Sequence, residues 1–343
     1  MRIALDAMGS DGAPVPEVEG ALEASASGDI EVTLVGDEPR LRPVLVAHNS
    51  AGRASVVHAS EVIHAHDSPV TAVRQKKDSS LMVGLRLVKD GQADALVSAG
   101  NTGALHVAAR TVLGPIKGVA RSAIGTLVPT ARKPVLLLDM GANVDCSARH
   151  LCEFAEMGMV YSARALGVRS PRVGLLNIGR EQAKGNELAK AVHRSLSAAD
   201  HINFIGNVEP MALYEGAADV VVCDGFVGNV FLKTSEAAGH LLTTLIKREL
   251  DASWISKLGA LLCRGAFKRV AKTHDSNEYV GASILGINGV VVKVHGASKG
   301  RGVANGIFGA CGIVSNRVPE HIKTGMEELR RTEAILKQQE NSE

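Results

Sequence analysis

Ala95-Leu96-Val97-Ser98-Ala99-Gly100-Asn101-Thr102-Gly103 reads as a short apolar strand that breaks into a glycine turn, and this unit sets the fold. The unit recurs. Asp139-Met140-Gly141-Ala142-Asn143 follows the apolar run 135–138, and Asp224-Gly225-Phe226-Val227-Gly228-Asn229 follows 220–223. A fourth turn, Lys184-Gly185-Asn186, lies a few residues beyond its own run at 173–177. Glycine lets a backbone approach an oxyanion closely, and the N–H groups of a following helix start point at it. Open α/β sheets bind ligands at the carboxyl ends of their strands. The four turns are therefore expected to converge on one crevice that holds a phosphate or carboxylate.

Outward from these turns, further strand candidates fall at 3–7, 31–35, 55–58, 124–128, 202–205 and 289–294, with helical stretches between most of them. Ser79-Ser80 is placed to cap a helix over 81–89 that Gly91 closes. Ser147 is placed to open one that runs to Gly167, with Leu151, Phe154, Ala155 and Gly158 on a single face. Regular alternation of strand and helix predicts an α/β fold of three layers, α/β/α, around a mostly parallel sheet. Only residues 129–134 separate two apolar runs near 124–138, which predicts an antiparallel pair there. The expected organisation is one α/β domain over 1–330, a helical-hairpin excursion at about 239–272, and a charged tail at 331–343.

Composition narrows the class. A chain of 343 residues with 45% hydrophobic content buries a sizeable core, and with only 3% aromatic residues that core is aliphatic, as in buried parallel strands. A net charge of +2 is too mild to argue for nucleic acid. The five cysteines have no C-x-x-C spacing and read as reduced thiols, with no disulfide framework or zinc site. Met1-Arg2-Ile3-Ala4-Leu5-Asp6 meets an acid too soon for a signal peptide, and no apolar run reaches transmembrane length. A cytoplasmic location is expected.

The excursion breaks the rhythm. Trp254, Ile255, Leu258, Leu261 and Leu262 form one helical stripe, with Lys257 and Arg264 beside it. Such a stripe packs on its own domain or on a partner subunit in the common case. A basic, Trp-bearing stripe also suits an interfacial helix that touches a membrane.

Known nucleotide motifs are missing. The chain has no Gly-Lys dipeptide, so no Walker loop, and Gly300-Arg301-Gly302-Val303-Ala304-Asn305 ends on Asn where a dinucleotide fingerprint has Gly. His64-x-His66 has metal-compatible spacing but no partner cluster, so strand-end histidines are the commoner reading. Lys76-Lys77 precedes the Ser79-Ser80 helix start, where an anion is favoured, although a solvated basic turn reads equally well. There is no Gly-x-Ser-x-Gly elbow. An acyl transfer here would use the substrate's own nucleophile, and phosphate near neutral pH is already largely dianionic.

Asp6-Ala7-Met8-Gly9-Ser10-Asp11-Gly12-Ala13-Pro14, Lys76-Lys77-Asp78-Ser79-Ser80, the segments 98–104, 139–145, 175–186 and 224–229 with Leu232-Lys233, and His295-Gly296-Ala297-Ser298 together resemble the bacterial PlsX-type phosphate acyltransferases. The resemblance runs in order over about residues 1–330. Ser10 replaces a usual glycine, and the stretch 279–283 is a looser version of the family's Tyr-Gly-Gly-Ala.

The resemblance implies a fold like that of phosphotransacetylases and isocitrate/isopropylmalate dehydrogenases. It also implies acyl phosphate synthesis from fatty acyl-[acyl carrier protein] and inorganic phosphate, early in phospholipid synthesis, by a homodimer needing no cofactor or metal. Phosphate would be held by Ser98, Gly100, Asn101, Thr102 and Gly103, by N–H groups near Gly141, and by Lys184 with Gly185 and Asn186. Lys76, Asp224 and Gly225 join the substrate-binding set. Asn143 or Asn229 would stabilise the oxyanion, Lys184 the leaving thiolate, and Asp139 would orient substrate, act as base or simply hold its turn together. Trp254, Leu258, Leu261, Leu262 and Arg264 would meet an anionic membrane, on the inner face of the cell membrane, or the acidic carrier protein. The rivals are a decarboxylating NAD-dependent dehydrogenase on a similar fold, which would need a nicotinamide site, and a non-catalytic membrane-associated scaffold for the carrier protein.

Overall fold

Eleven strands among the described residues form a single sheet: β1 (Arg2–Asp6), β2 (Glu31–Gly36), β3 (Ser55–His58), β4 (Ala95–Ser98), β5 (Ala123–Val128), β6 (Val135–Leu138), β7 (Val173–Leu176), β8 (Phe204–Val208), β9 (Val220–Val222), β10 (Ala282–Leu285) and β11 (Val290–Lys293). The computed structural model describes residues 1–26, 28–49, 54–274 and 281–340, and their side chains outside 271–274 and 331–340. The helices are α1 (Val15–Ser25), α2 (Glu38–Ala47), α3 (Pro69–Gln75), α4 (Ser80–Lys89), α5 (Thr102–Val112), α6 (Ala148–Ala165) and α7 (Glu187–Ser197). They continue with α8 (Pro210–Tyr214), α9 (Gly225–Asp251), α10 (Trp254–Leu262), α11 (Arg264–His274), α12 (Gly300–Ser315) and α13 (Val318–Glu340). Residues 341–343, the end of the expected tail, lie outside the described residues.

The sheet order is β3-β2-β1-β4-β11-β10-β5-β6-β9-β7-β8. β3, β2, β1, β4 and β11 are mutually parallel, and so are β6, β9, β7 and β8. Between these blocks β10 runs antiparallel to both β11 and β5, and β5 antiparallel to β6. The expected 124–138 pair is present, and the sheet is mostly parallel in two blocks of opposite sense. β10 had no counterpart among the expected strands, because its four residues Ala-Ser-Ile-Leu lack an apolar run of usual length. β8 starts two residues later than expected.

Helices cover both faces and form two aliphatic cores. Ser79 caps α4 by accepting from Met82 N, and Ser147 caps α6 in a reciprocal box with His150. Glycines let helices sink onto the sheet. A Cβ on Gly158 of α6 would lie 2.6 Å from Val220 Cγ1.

Candidate active site

The reversal of sense between the two blocks sorts the glycine turns. β4 delivers the Ser98 turn to one edge, together with the turns after β1 and β11. β6, β9 and β7 deliver the Asp139, Asp224 and Lys184 turns to the other. Three of the four turns therefore share an edge, and the fourth leaves from the opposite one because β10 and β5 insert antiparallel. Along the sheet β4 and β6 stand four strands apart, roughly 19 Å at the usual strand spacing.

At the first edge Asp6, Ser98 and Lys293 end three neighbouring parallel strands in register. Ser98 Oγ donates to Asp6 Oδ2 at 2.7 Å and accepts from Gly100 N at 3.0 Å. Asp6 also accepts from Met8 N at 3.2 Å. The two turns touch backbone to backbone, since a Cβ on Gly9 would lie 2.6 Å from Gly100 N. Lys293 Nζ donates to the carbonyls of Ala99, at 3.1 Å, and Val294. Burial pulls its ammonium down to about 8, against the opposing pull of Asp6 and Asp11. Lys293 is absent from the site residues expected from sequence. The signal was a lysine closing an otherwise apolar run just ahead of His295-Gly296-Ala297-Ser298.

Asn101 is committed to structure. Its Oδ1 caps α5 by accepting from Ala104 N at 3.0 Å, and its Nδ2 donates to the carbonyls of His64, Ala65 and Asp67. Thr102, at the first turn of α5, is exposed, while a Cβ on Gly103 would meet Pro69 at 2.7 Å. Lys76 spends two of its three donors within the fold. It donates to Asp67 Oδ2 at 2.5 Å and to the Val62 carbonyl at 2.8 Å, and that hydrogen bond holds the Asp67 carboxyl below its usual range. The His64 and His66 rings stack at 5.6 Å.

At the second edge Asp139 is fully buried and accepts from Ile124 N, Ala142 N, Asn143 N and Asn143 Nδ2 at 2.7–3.2 Å. Burial raises its pKa against these donors. A carboxylate with four donors and no solvent contact holds a turn together, and it has no face left to take a proton from substrate. Asn143 is likewise spent, its Nδ2 donating to the Ser122 carbonyl at 2.8 Å as well. The first turn of α9 lies directly on this loop. A Cβ on Gly225 would lie 2.7 Å from the Asn143 carbonyl oxygen, and one on Gly228 only 1.9 Å from that of Asp139. Asp224 caps α9 by accepting from Val227 N at 2.8 Å. Asn229 is exposed and faces Gly141, whose φ is +112°.

Asn186 caps α7 at Ala189 N, 2.9 Å away, while Asn177 donates to the Lys184 carbonyl at 3.2 Å. Gly185, at φ +91°, has no room for a Cβ beside Asn177. The Lys184 side chain is exposed and forms no ion pair among the described residues. Helix α5 links the two edges. It starts at the Ser98 turn, and its His106 contacts Ser122 Oγ at 2.8 Å, the residue whose carbonyl holds Asn143. Burial lowers the His106 pKa. Neither thiol here is a ready nucleophile. Burial, with Asp139 and Asp224 nearby, pushes Cys146 up to about 11, and burial raises Cys223 as well.

This geometry defines a class: an α/β fold with glycine turns at its strand ends and no nucleophilic triad among the described residues. The fatty acid synthesis protein family matches residues 1–321. The phosphate acyltransferase of Trichlorobacter lovleyi is 47% identical over 329 residues, covering 96% of this chain and 95% of its own. That of Desulfitobacterium hafniense is 48% identical over 324 residues, covering 94% of this chain and 97% of its own. A phosphotransacetylase from Streptococcus pyogenes shares the fold with a TM-score of 0.63 at 15% identity, over 93% of this chain and 94% of its own. The chain belongs to the PlsX-type family of phosphate acyltransferases and is an acyltransferase working with phosphate. Family membership decides against the dehydrogenase and scaffold readings.

Proposed function

We propose that the chain moves a fatty acyl group from the thioester of acyl carrier protein to inorganic phosphate, giving acyl phosphate for phospholipid synthesis and a free carrier thiol. The observation that carries this reading is the in-register row Asp6, Ser98 and Lys293 at the glycine-lined ends of β1, β4 and β11. Its elements suit a dianion that attacks a carbonyl without a base: the exposed start of α5, a fixed Gly100 turn and a half-buried cation. Backbone N–H groups at such a turn stabilise the tetrahedral oxyanion, each typically worth about 3 kcal/mol.

Lys184 and Asn229, exposed at the other edge, are read as contacts to the remainder of the acyl donor. Lys184→Ala is expected to lower turnover roughly tenfold, about 1.4 kcal/mol of transition-state binding. Lys233→Ala should cost less than about twofold, because Lys233 sits on the exposed flank of α9 and pairs with Glu236 at 2.9 Å. The apolar face of α10 suits contact with an anionic bilayer, which would receive a poorly soluble product; a subunit interface is the other occupant of that face.

The decisive experiment incubates the protein with palmitoyl carrier protein and phosphate and looks for palmitoyl phosphate by mass spectrometry. Phosphate-dependent formation supports the reading. Release of free palmitate alone, or a stable acyl-cysteine adduct during turnover, would sink it.

A further inference from the structure

We propose that Lys293 is the proton donor to the thiolate that departs in the acyl transfer read above, an assignment that rests on that reading. Lys293 ends β11 beside Ser98 in register, and its Nζ reaches the Ala99 carbonyl of the turn expected to receive the reacting carbonyl. An ammonium has three N–H donors. Two are held by the Ala99 and Val294 carbonyls, and the third has no partner among the described residues. Neither neighbouring carboxylate closes an ion pair with it, since Asp6 is taken up by Ser98 Oγ and Met8 N. A half-buried lysine aimed by two carbonyls, with one donor left over, is built to give that donor to something that arrives.

The chemistry balances. A phosphate oxygen forms the new C–O bond, the C–S bond breaks with its electron pair going to sulfur, and sulfur takes a proton from Nζ. Monohydrogen phosphate brings one proton, which the acyl phosphate product loses on leaving as its dianion. That proton restores the ammonium, so none is consumed overall. Burial holds the ammonium at about 8, close to the ordinary range of a thiol, so transfer between them is nearly even in energy. The groups facing it are Asp6 of β1, Asp11 of the following turn, and His295 just past β11. His295 is exposed, and its Nδ1 accepts from Ala297 N at 3.2 Å, which leaves a proton on Nε2 and makes that N–H the rival donor.

The test compares two acyl donors, an alkyl thioester of pantetheine and a nitrothiophenyl thioester whose thiolate departs without a proton. Lys293→Arg keeps the charge but gives up no proton near neutral pH. It is expected to leave the phosphate KM within about threefold, cut kcat on the alkyl thioester about a hundredfold, and cut kcat on the aryl thioester less than about threefold. Equal losses on both donors, no loss on the alkyl donor, or the same selective loss in His295→Gln would overturn the assignment. Should the variant fail to fold, the wild type still decides. Its kcat should fall above pH about 8 with the alkyl donor and stay level with the aryl donor, and parallel profiles refute the role. Absence of acyl phosphate from both donors removes the reaction and this role together; acyl phosphate formed with equal losses removes the role alone.

Discussion

Gly228 and Gly259 sit in neighbouring helical regions, and one added methyl would do opposite things to them. At Gly228, in the first turn of α9, a Cβ would lie 1.9 Å from the Asp139 carbonyl oxygen and 3.0 Å from Cys223 Sγ. At Gly259, inside α10, it would meet nothing within 4 Å. The same contrast runs along α9, whose start is pressed onto the Asp139 turn while Leu241, Leu242, Leu245 and Ile246 stand exposed. The strand-end region is defined by contacts between segments far apart in sequence. The excursion is defined locally, by helical periodicity and by caps such as Ser253, which accepts from Ser256 N at 3.0 Å.

The largest expected effect probes the tight region. Gly228→Ala forces either α9 or the Asp139 turn to move, and it should cost about 4 kcal/mol or prevent folding. Urea denaturation measures this, and a loss below about 1 kcal/mol would mean that α9 can lift off the turn freely.

The next effect comes from charge buried beside the Gly9 turn. Glu17 is fully buried, accepts from Ser10 N at 3.0 Å, and is raised by burial from 4.5 to about 7. Between those values the folded chain holds a proton that the unfolded chain has lost, so stability falls as pH rises through this window. Above pH 7 the full cost is present, roughly 3 kcal/mol. Glu17→Gln should therefore gain on the wild type by about 2–3 kcal/mol between pH 4.5 and 8. Parallel stability profiles for the two proteins would show that Glu17 stays ionised at little cost.

These two positions also show where reading the sequence ran out. β10 was hidden because it is too short and too mixed to announce itself, whereas the pair at 124–138 was legible and is what reverses the sense of the second block, since the two antiparallel junctions of β10 cancel. Caps were legible: Ser79 and Ser147 do at α4 and α6 what their positions suggested. Yet the same cap chemistry explains Asn101, Asn186 and Asp224, which the sequence also allowed as anion ligands. Spacing cannot tell a polar side chain that caps a helix from one that waits for a ligand. Lys293 was obscured for the complementary reason. Its meaning depends on the register of β11 against β4, which joins residues almost two hundred positions apart.

In the loose region the sign reverses. Gly259→Ala adds helix propensity at an exposed interior position and should stabilise α10 by about 0.5–1 kcal/mol. Amide exchange is the suitable readout, because such a gain in a local unit slows opening there by roughly two- to fivefold without moving the global transition. Faster exchange in α10 would mean that Gly259 makes a contact with a partner that the isolated chain does not display.

The smallest effect on folding is paired with a large one on binding, and the pairing separates the occupants of the excursion's apolar face. Leu258 and Leu261 are 51% and 62% exposed on the chain itself, so Leu258→Glu with Leu261→Glu removes little packing and should change folding stability by less than about 0.5 kcal/mol. If that face meets a bilayer, two new carboxylates repel an anionic surface and add a desolvation cost on insertion, so sedimentation with vesicles containing phosphatidylglycerol should disappear. Turnover on soluble acyl carrier protein should persist, since the substitutions lie on an excursion apart from the row formed by Asp6, Ser98 and Lys293. No helix among the described residues is long and apolar enough to cross a membrane, so any such contact is interfacial. Loss of a dimer in the variant, with vesicle binding intact, would instead give the stripe to a second copy of the chain. A loss of several kcal/mol in the monomer would make it a core, and the contrast between Gly228 and Gly259 would then lose its physical basis.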